Sequence, residues 1–119
     1  MKAYELKPGP QSDPQSPPLS LVERPSLPLG PDEVRVRVRA VSLNYRDLNV
    51  ARGAKSRTSP IIPASDGAGE VVEVGAEVRQ LKVGDRVAAA FFPTWLGGEL
   101  SDWHHKNALG GGRDGMLAE

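Results

Sequence analysis

The side chains best equipped for small-molecule chemistry fall in three short clusters: Asn44-Tyr45 with Asp47, Ser65-Asp66, and Phe92 with Trp95. Asn44 and Tyr45 offer hydrogen-bond donors, and a tyrosine can also pass a proton directly or through water. The same residues have structural uses: Asn44 fits the capping position ahead of a helix, with Tyr45 packed over it. Asp47 would sit near the start of that helix, where exposed N–H groups favour a carboxylate by about 0.3–1 kcal/mol, so a structural role competes with a catalytic one. Asp66, beside Ser65 at a Gly-rich turn, either bonds local backbone or faces a cleft. Phe92 and Trp95 would wall an apolar pocket or fill a core. His104 and His105 are adjacent, so on a strand they point to opposite sides and do not share a metal; both read as surface residues. There is no cysteine, which excludes disulfides and thiolate chemistry and removes the usual ligand of structural zinc.

These clusters must be held by short elements. Residues 1–6 and 19–23 read as strands, separated by an exposed proline-rich loop at 8–18. The strongest strand signal is 33–43, where Val34, Val36, Val38 and Ala40 alternate with charged residues. The period changes at 45–52, where Leu48, Ala51 and Arg52 fall at helical spacing and Gly53 is a stop. A polar loop at 54–60 follows. A strand then begins in the Gly-rich stretch 65–75, Gly84-Asp85 makes a tight turn, and Arg86 to Phe92 forms a last strand. Gly67, Gly69 and Gly75 permit close backbone approaches. Gly110-Gly111-Gly112 has neither the strand before it nor the helix and acid after it that a phosphate loop needs, and is expected as a flexible turn. Many turns, several short strands and one or two short helices predict a mainly β, partly open β-barrel.

A chain of 119 residues supports one domain, here 1–119, with 39% hydrophobic residues and 24 Pro and Gly (11 + 13). Net charge is zero, with a basic first half and an acidic second half. Arg35, Arg37 and Arg39 alternate with valines and predict a solvated sheet face; with no aromatics interleaved to stack bases, nucleic acid is not an expected partner. The N-terminus lacks the apolar segment of a signal peptide, and no run reaches the ~20 residues that span a bilayer. A cytoplasmic protein with no membrane partner is expected.

Three runs resemble the medium-chain dehydrogenase/reductase superfamily: Val36 to Leu48 with its Asn44-x-x-Asp47, Pro63 to Gly75, and Val83-Gly84-Asp85-Arg86-Val87. The resemblance implies a GroES-like fold and an NAD(P)(H)-dependent oxidoreductase acting on a carbonyl, alcohol, enone or quinone. It also implies that the nucleotide-binding Rossmann domain is absent from this chain, which would be a GroES-like domain truncated at its C-terminal end. Asn44 and Ser65-Asp66 match positions that hold Cys and His-Glu in the zinc alcohol dehydrogenases, so the resemblance is to the zinc-independent, quinone oxidoreductase-like branch and no zinc is expected. On that reading Asn44, Tyr45 and Asp47 are catalytic, and Asn44 and Tyr45 also face NADP or NAD. Ser65, Asp66, Phe92 and Trp95 bind substrate. The alternative is a non-catalytic GroES-like module with no turnover of its own. A cleft face left exposed predicts modest stability, self-association or a homo-oligomer.

Overall fold

The computed structural model describes residues 1–8 and 19–119; the expected loop at 8–18 therefore falls, from residue 9 on, outside the described residues. Strand β1 (Lys2–Leu6) pairs antiparallel with β2 (Leu19–Glu23), with Leu6 opposite Leu19. A second sheet orders β3 (Val34–Ser42), β4 (Asp66–Val74) and β5 (Arg86–Ala88), antiparallel throughout. The barrel is open: the two sheets remain separate, and single bridges at Leu6–Ile61 and Ala3–Ala118 tie the first to the rest of the chain. Among the described residues there is no parallel strand–helix–strand unit.

β-Branched valines at every second position make β3 a strand, since they fit a pleated surface and lose freedom in a helix. The arginines between them are partnered on β4: Arg35 meets Glu73 at 2.7 Å and Arg39 meets Glu70 at 3.6 Å. Two register shifts interrupt the β3–β4 ladder. Gly69 explains how the strands come so close, because a Cβ there would lie 2.2 Å from the Arg37 carbonyl oxygen.

Helix α1 (Tyr45–Arg52) follows β3 after two residues, and a 3-10 turn, Gly53–Ser56, continues from it. The helix forms where the spacing of Leu48, Ala51 and Arg52 predicts it. Asp47, Val50 and Ala51 turn inward at i, i+3, i+4, while Leu48 and Arg52 are exposed. The reason is the core they meet: Leu6, Ala54 and Ile61 form its buried centre, and Leu19, Val50 and Ala51 pack against it. Ala54 thereby belongs to the core, within a stretch expected as polar loop.

Two further expectations are revised. The strand expected at 86–92 ends at Ala88, and the Phe91 carbonyl beyond it instead accepts the Leu109 N–H at 3.1 Å. Helix α2 (Asp102–Lys106) occupies a stretch where no element was expected, so His104 and His105 lie on a helix and not on a strand.

Candidate functional site

The pairing of Ser42 with Asp66 sets the end of β3 beside the start of β4. Asn44 and Asp66, far apart in sequence, consequently meet. The Asn44 Nδ2 donates to Asp66 Oδ2 at 2.9 Å, and the Ser65 hydroxyl donates to the same oxygen at 2.6 Å. Asn44 holds the N-cap position of α1 in extended conformation. Its side chain reaches out to Asp66, and Asp47 folds back to accept the Asn44 N–H on Oδ2 at 2.8 Å. Asn44 and Asp47 thus form a reciprocal capping box on α1, and the Asn44 Nδ2 remains for Asp66. The other Asp47 oxygen, Oδ1, is buried without a partner among the described residues.

Ser65 is fully buried, and the residue before it is under backbone strain. Ala64 has φ of 71°, a left-handed conformation that a side chain disfavours. Its surroundings impose it. Gly115, Leu117 and Met116 donate their N–H groups to the carbonyls of Ile62, Pro63 and Ala64 at 2.7, 3.2 and 2.8 Å. A Cβ on Gly110 would lie 2.6 Å from the Ala64 carbonyl carbon. The glycine run expected as a flexible turn leads into a packed clamp that fixes Ala64-Ser65-Asp66.

Tyr45 is 70% exposed and stands at a cleft of 570 Å³ with Asn44 and Asp47. Leu6 and Ala64 form part of its floor, while Leu43 and Leu48 stand on its exposed walls. Sequence reasoning did not single out Leu43 or Leu48 as site residues. The available signal was two leucines flanking a polar pair at the strand–helix junction.

Phe92 and Trp95 lie elsewhere. Their rings are 6.2 Å apart, and Phe92 also meets Phe91 at 4.4 Å and the His105 ring at 5.3 Å, all edge-on. Arg46 links this cluster to α1 by stacking on Phe91 at 4.6 Å and donating to the Leu109 carbonyl at 3.0 Å. The structure therefore brings Asn44, Tyr45, Asp47, Ser65 and Asp66 together, and sets the aromatic pair apart from them. His104 accepts the Ser101 N–H on Nδ1 at 3.0 Å, capping α2.

Two charged clusters outside the site shift their groups. Arg24 lies 3.2 Å from Glu5 and 2.8 Å from Asp114, and the hydrogen bond to Glu5 leads in raising the guanidinium above its ordinary value. Asp114 in turn accepts the Ile62 N–H at 2.9 Å, so this cluster ties β2 to the clamped segment. The Asp85 carboxyl is held below its ordinary value, chiefly by its hydrogen bond from the Lys82 side chain. Among the described residues, no three of His, Cys, Asp and Glu gather as a metal site, and no helix is long and apolar enough to cross a membrane.

Residues 30–119 match the alcohol dehydrogenase GroES-like domain. The chain belongs to this family, within the medium-chain dehydrogenases/reductases. It is 44% identical over 91 residues to a zinc-type alcohol dehydrogenase-like protein of Schizosaccharomyces pombe, covering 75% of this chain and 26% of that protein. It is 49% identical over 74 residues to a quinone oxidoreductase of Pseudomonas aeruginosa, covering 60% and 22%. A crystal structure from Sinorhizobium meliloti, described as an alcohol dehydrogenase, superposes with a TM-score of 0.73 at 40% identity, over 85% of this chain and 31% of that one. The chain spans about a quarter of the length of the curated relatives it matches.

Proposed function

We propose that this chain is the substrate-side domain of an oxidoreductase that moves hydride between NADP or NAD and a carbonyl, alcohol or enone, without zinc. The family membership supports the reaction class; one local observation carries the zinc-free reading. At the positions where a catalytic zinc would need thiolate or imidazole, Asn44 and Ser65 each donate a hydrogen bond into Asp66. An amide, a hydroxyl and one carboxylate already occupied by both make a poor zinc donor set. The same three groups make a serviceable hydrogen-bonding site.

The dinucleotide supplies the hydride when bound, and most of its site lies outside these residues. What this chain contributes is position and polarity. Negative charge builds on the substrate oxygen as the carbonyl is reduced, and donors fixed beforehand stabilise it without reorganising. Asn44 is fixed by Asp66, and its backbone is locked by Asp47. Tyr45, exposed at the cleft, would deliver a proton to that oxygen directly or through water. Ser65 and Asp66 orient Asn44, while Phe92 and Trp95 stand in the separate aromatic cluster and take no part at this cleft.

The test is steady-state kinetics on a protein carrying both this chain and a nucleotide-binding domain, with aldehydes and enones as substrates. Asn44→Ala should lower kcat/KM by about 10²–10³-fold, the usual cost of one oxyanion donor. Unchanged kinetics in that variant would remove Asn44 from the mechanism. No turnover with any substrate would favour the non-catalytic module.

A further inference from the structure

Resting on that reading, we infer that Asp114, a surface residue, is a positioning residue. By gripping Ile62 it holds the strained turn at Ala64, and through Ser65 and Asp66 it aims the Asn44 amide at the substrate oxygen. Segment 61–64 is held group by group. The Ile61 N–H donates to the Leu6 carbonyl at 3.2 Å, and the Ile61 carbonyl accepts the Leu6 N–H at 2.8 Å. The Ile62 carbonyl accepts the Gly115 N–H at 2.7 Å, while the Ile62 N–H donates to Asp114 Oδ1 at 2.9 Å. The first three of these bonds come from backbone. The last comes from a side chain, so a substitution can remove it.

Two adjacent residues, Asp114 and Gly115, thus bracket Ile62 and fix the register of 115–117 against 62–64. Arg24 binds Asp114 Oδ2 at 2.8 Å, which leaves Oδ1 turned to Ile62. Register matters here because a Cβ at Gly115 would lie 2.1 Å from the Ala64 carbonyl oxygen. A slip of one residue would bring Asp114 or Met116 to that place, each with a Cβ.

The element with two states is Ala64. Its φ of 71° is a form that an L-residue disfavours about five- to thirtyfold, and it persists because both flanks are held. Freed, Ala64 relaxes toward negative φ and turns Ser65 and Asp66 with it. Asp66 Oδ2 accepts from both the Ser65 hydroxyl and Asn44 Nδ2, so that turn moves the acceptor by which the Asn44 amide is aimed. Substrate still enters the cleft. What is lost is a donor aligned with the developing charge, so the loss falls on kcat rather than KM.

The test pairs kinetics, on a protein carrying this chain and a nucleotide-binding domain, with the side-chain amide resonances of Asn44 in this chain. Asp114→Ala should lower kcat about five- to thirtyfold, the bias Ala64 is then free to follow, with KM within about twofold of the parent's. The same variant should move the Asn44 resonances. Asp114→Asn keeps the acceptor for Ile62 but loses the charge that Arg24 pairs with, so it should lower the unfolding midpoint and yet retain most of the kcat. Ala64→Gly, for which positive φ carries no steric penalty, should restore most of the kcat lost in Asp114→Ala. Asp114→Glu keeps the charge and displaces the acceptor by one methylene; it should show the same loss of kcat and serves if the alanine variant does not fold.

Unchanged kcat with unmoved Asn44 resonances in Asp114→Ala would overturn the inference and leave the oxidoreductase reading standing. So would an equal loss of kcat in Asp114→Asn and Asp114→Ala, which would mark the role as stability alone. Resonances that move in Asp114→Ala and return in Asp114→Asn, with no hydride transfer in the larger protein, would keep the clamp and reject the oxidoreductase reading.

Discussion

Removing the Asp66 carboxylate should destabilise the domain mainly by stranding Ser65. The Ser65 hydroxyl is fully buried, and its partner is Asp66 Oδ2 at 2.6 Å. A hydrogen bond to a charged group contributes about 1.5–3 kcal/mol, and a buried polar group left without a partner costs about 1–3 kcal/mol. The Asn44 bond to the same oxygen lies at the surface, where water replaces it, so its loss matters little to stability. Asp66→Ala is therefore expected to cost about 2–3 kcal/mol, which is roughly 8–20 °C in Tm for a domain near this size. With Ser65→Ala already in place there is no hydroxyl to strand, and the same Asp66→Ala change should cost about 1 kcal/mol. The difference, a coupling of about 1–2 kcal/mol, is read from urea unfolding of the two single variants, the double variant and the parent. Equal costs of Asp66→Ala in both backgrounds would refute the claim that Ser65 and Asp66 act as one buried unit. A large cost with no coupling would assign the effect to the start of β4 instead.

Other outcomes follow from the same structure. Arg24→Ala should cost about 1–3 kcal/mol by leaving the buried Glu5 carboxylate without its cation, seen as a lower urea midpoint, and Arg24→Ala with Glu5→Gln should recover part of it. The lowered Asp85 carboxyl contributes stability above its unfolded value, and that contribution is lost as pH falls through the folded one; an NMR titration should place its midpoint below that of an ordinary aspartate, and Lys82→Met should move it back up. Leu43, Leu48, Leu96 and Trp103 are more than half exposed, so sedimentation should show weak self-association that grows with concentration, reduced by Leu96→Lys. A strictly monomeric species at every concentration would count against that surface being sticky.

Much of the frame was legible because it rests on period and punctuation. Alternating valines marked β3, and the change of spacing after Asn44, closed by Gly53, marked α1. The site could be read only as residue types in three places. That Asn44 and Asp66 touch depends on strand register, which no local pattern states. The buried face of α1 was not legible, because Leu48 is apolar yet exposed, while the buried Asp47 is charged; an acid that caps its own helix reads as surface until its backbone partner is seen. Helix α2 spans only five residues, too few to display a period. Gly110 and Gly115 looked loose because their role is to let backbone approach backbone around Ala64, a contact partner some fifty residues away. Phe92 and Trp95 were grouped with the polar residues on chemical type, and the structure gives them neighbours of their own in Phe91 and His105.

The central claim is hydride transfer without zinc, organised by Asn44 and Asp66. Its most direct test is metal content measured alongside turnover, on a protein that joins this chain to a nucleotide-binding domain. The account predicts that NADPH- or NADH-dependent reduction of an aldehyde or enone persists undiminished after exhaustive chelation, with zinc far below one atom per chain. Stoichiometric zinc, with activity lost on its removal and restored on its return, would contradict it.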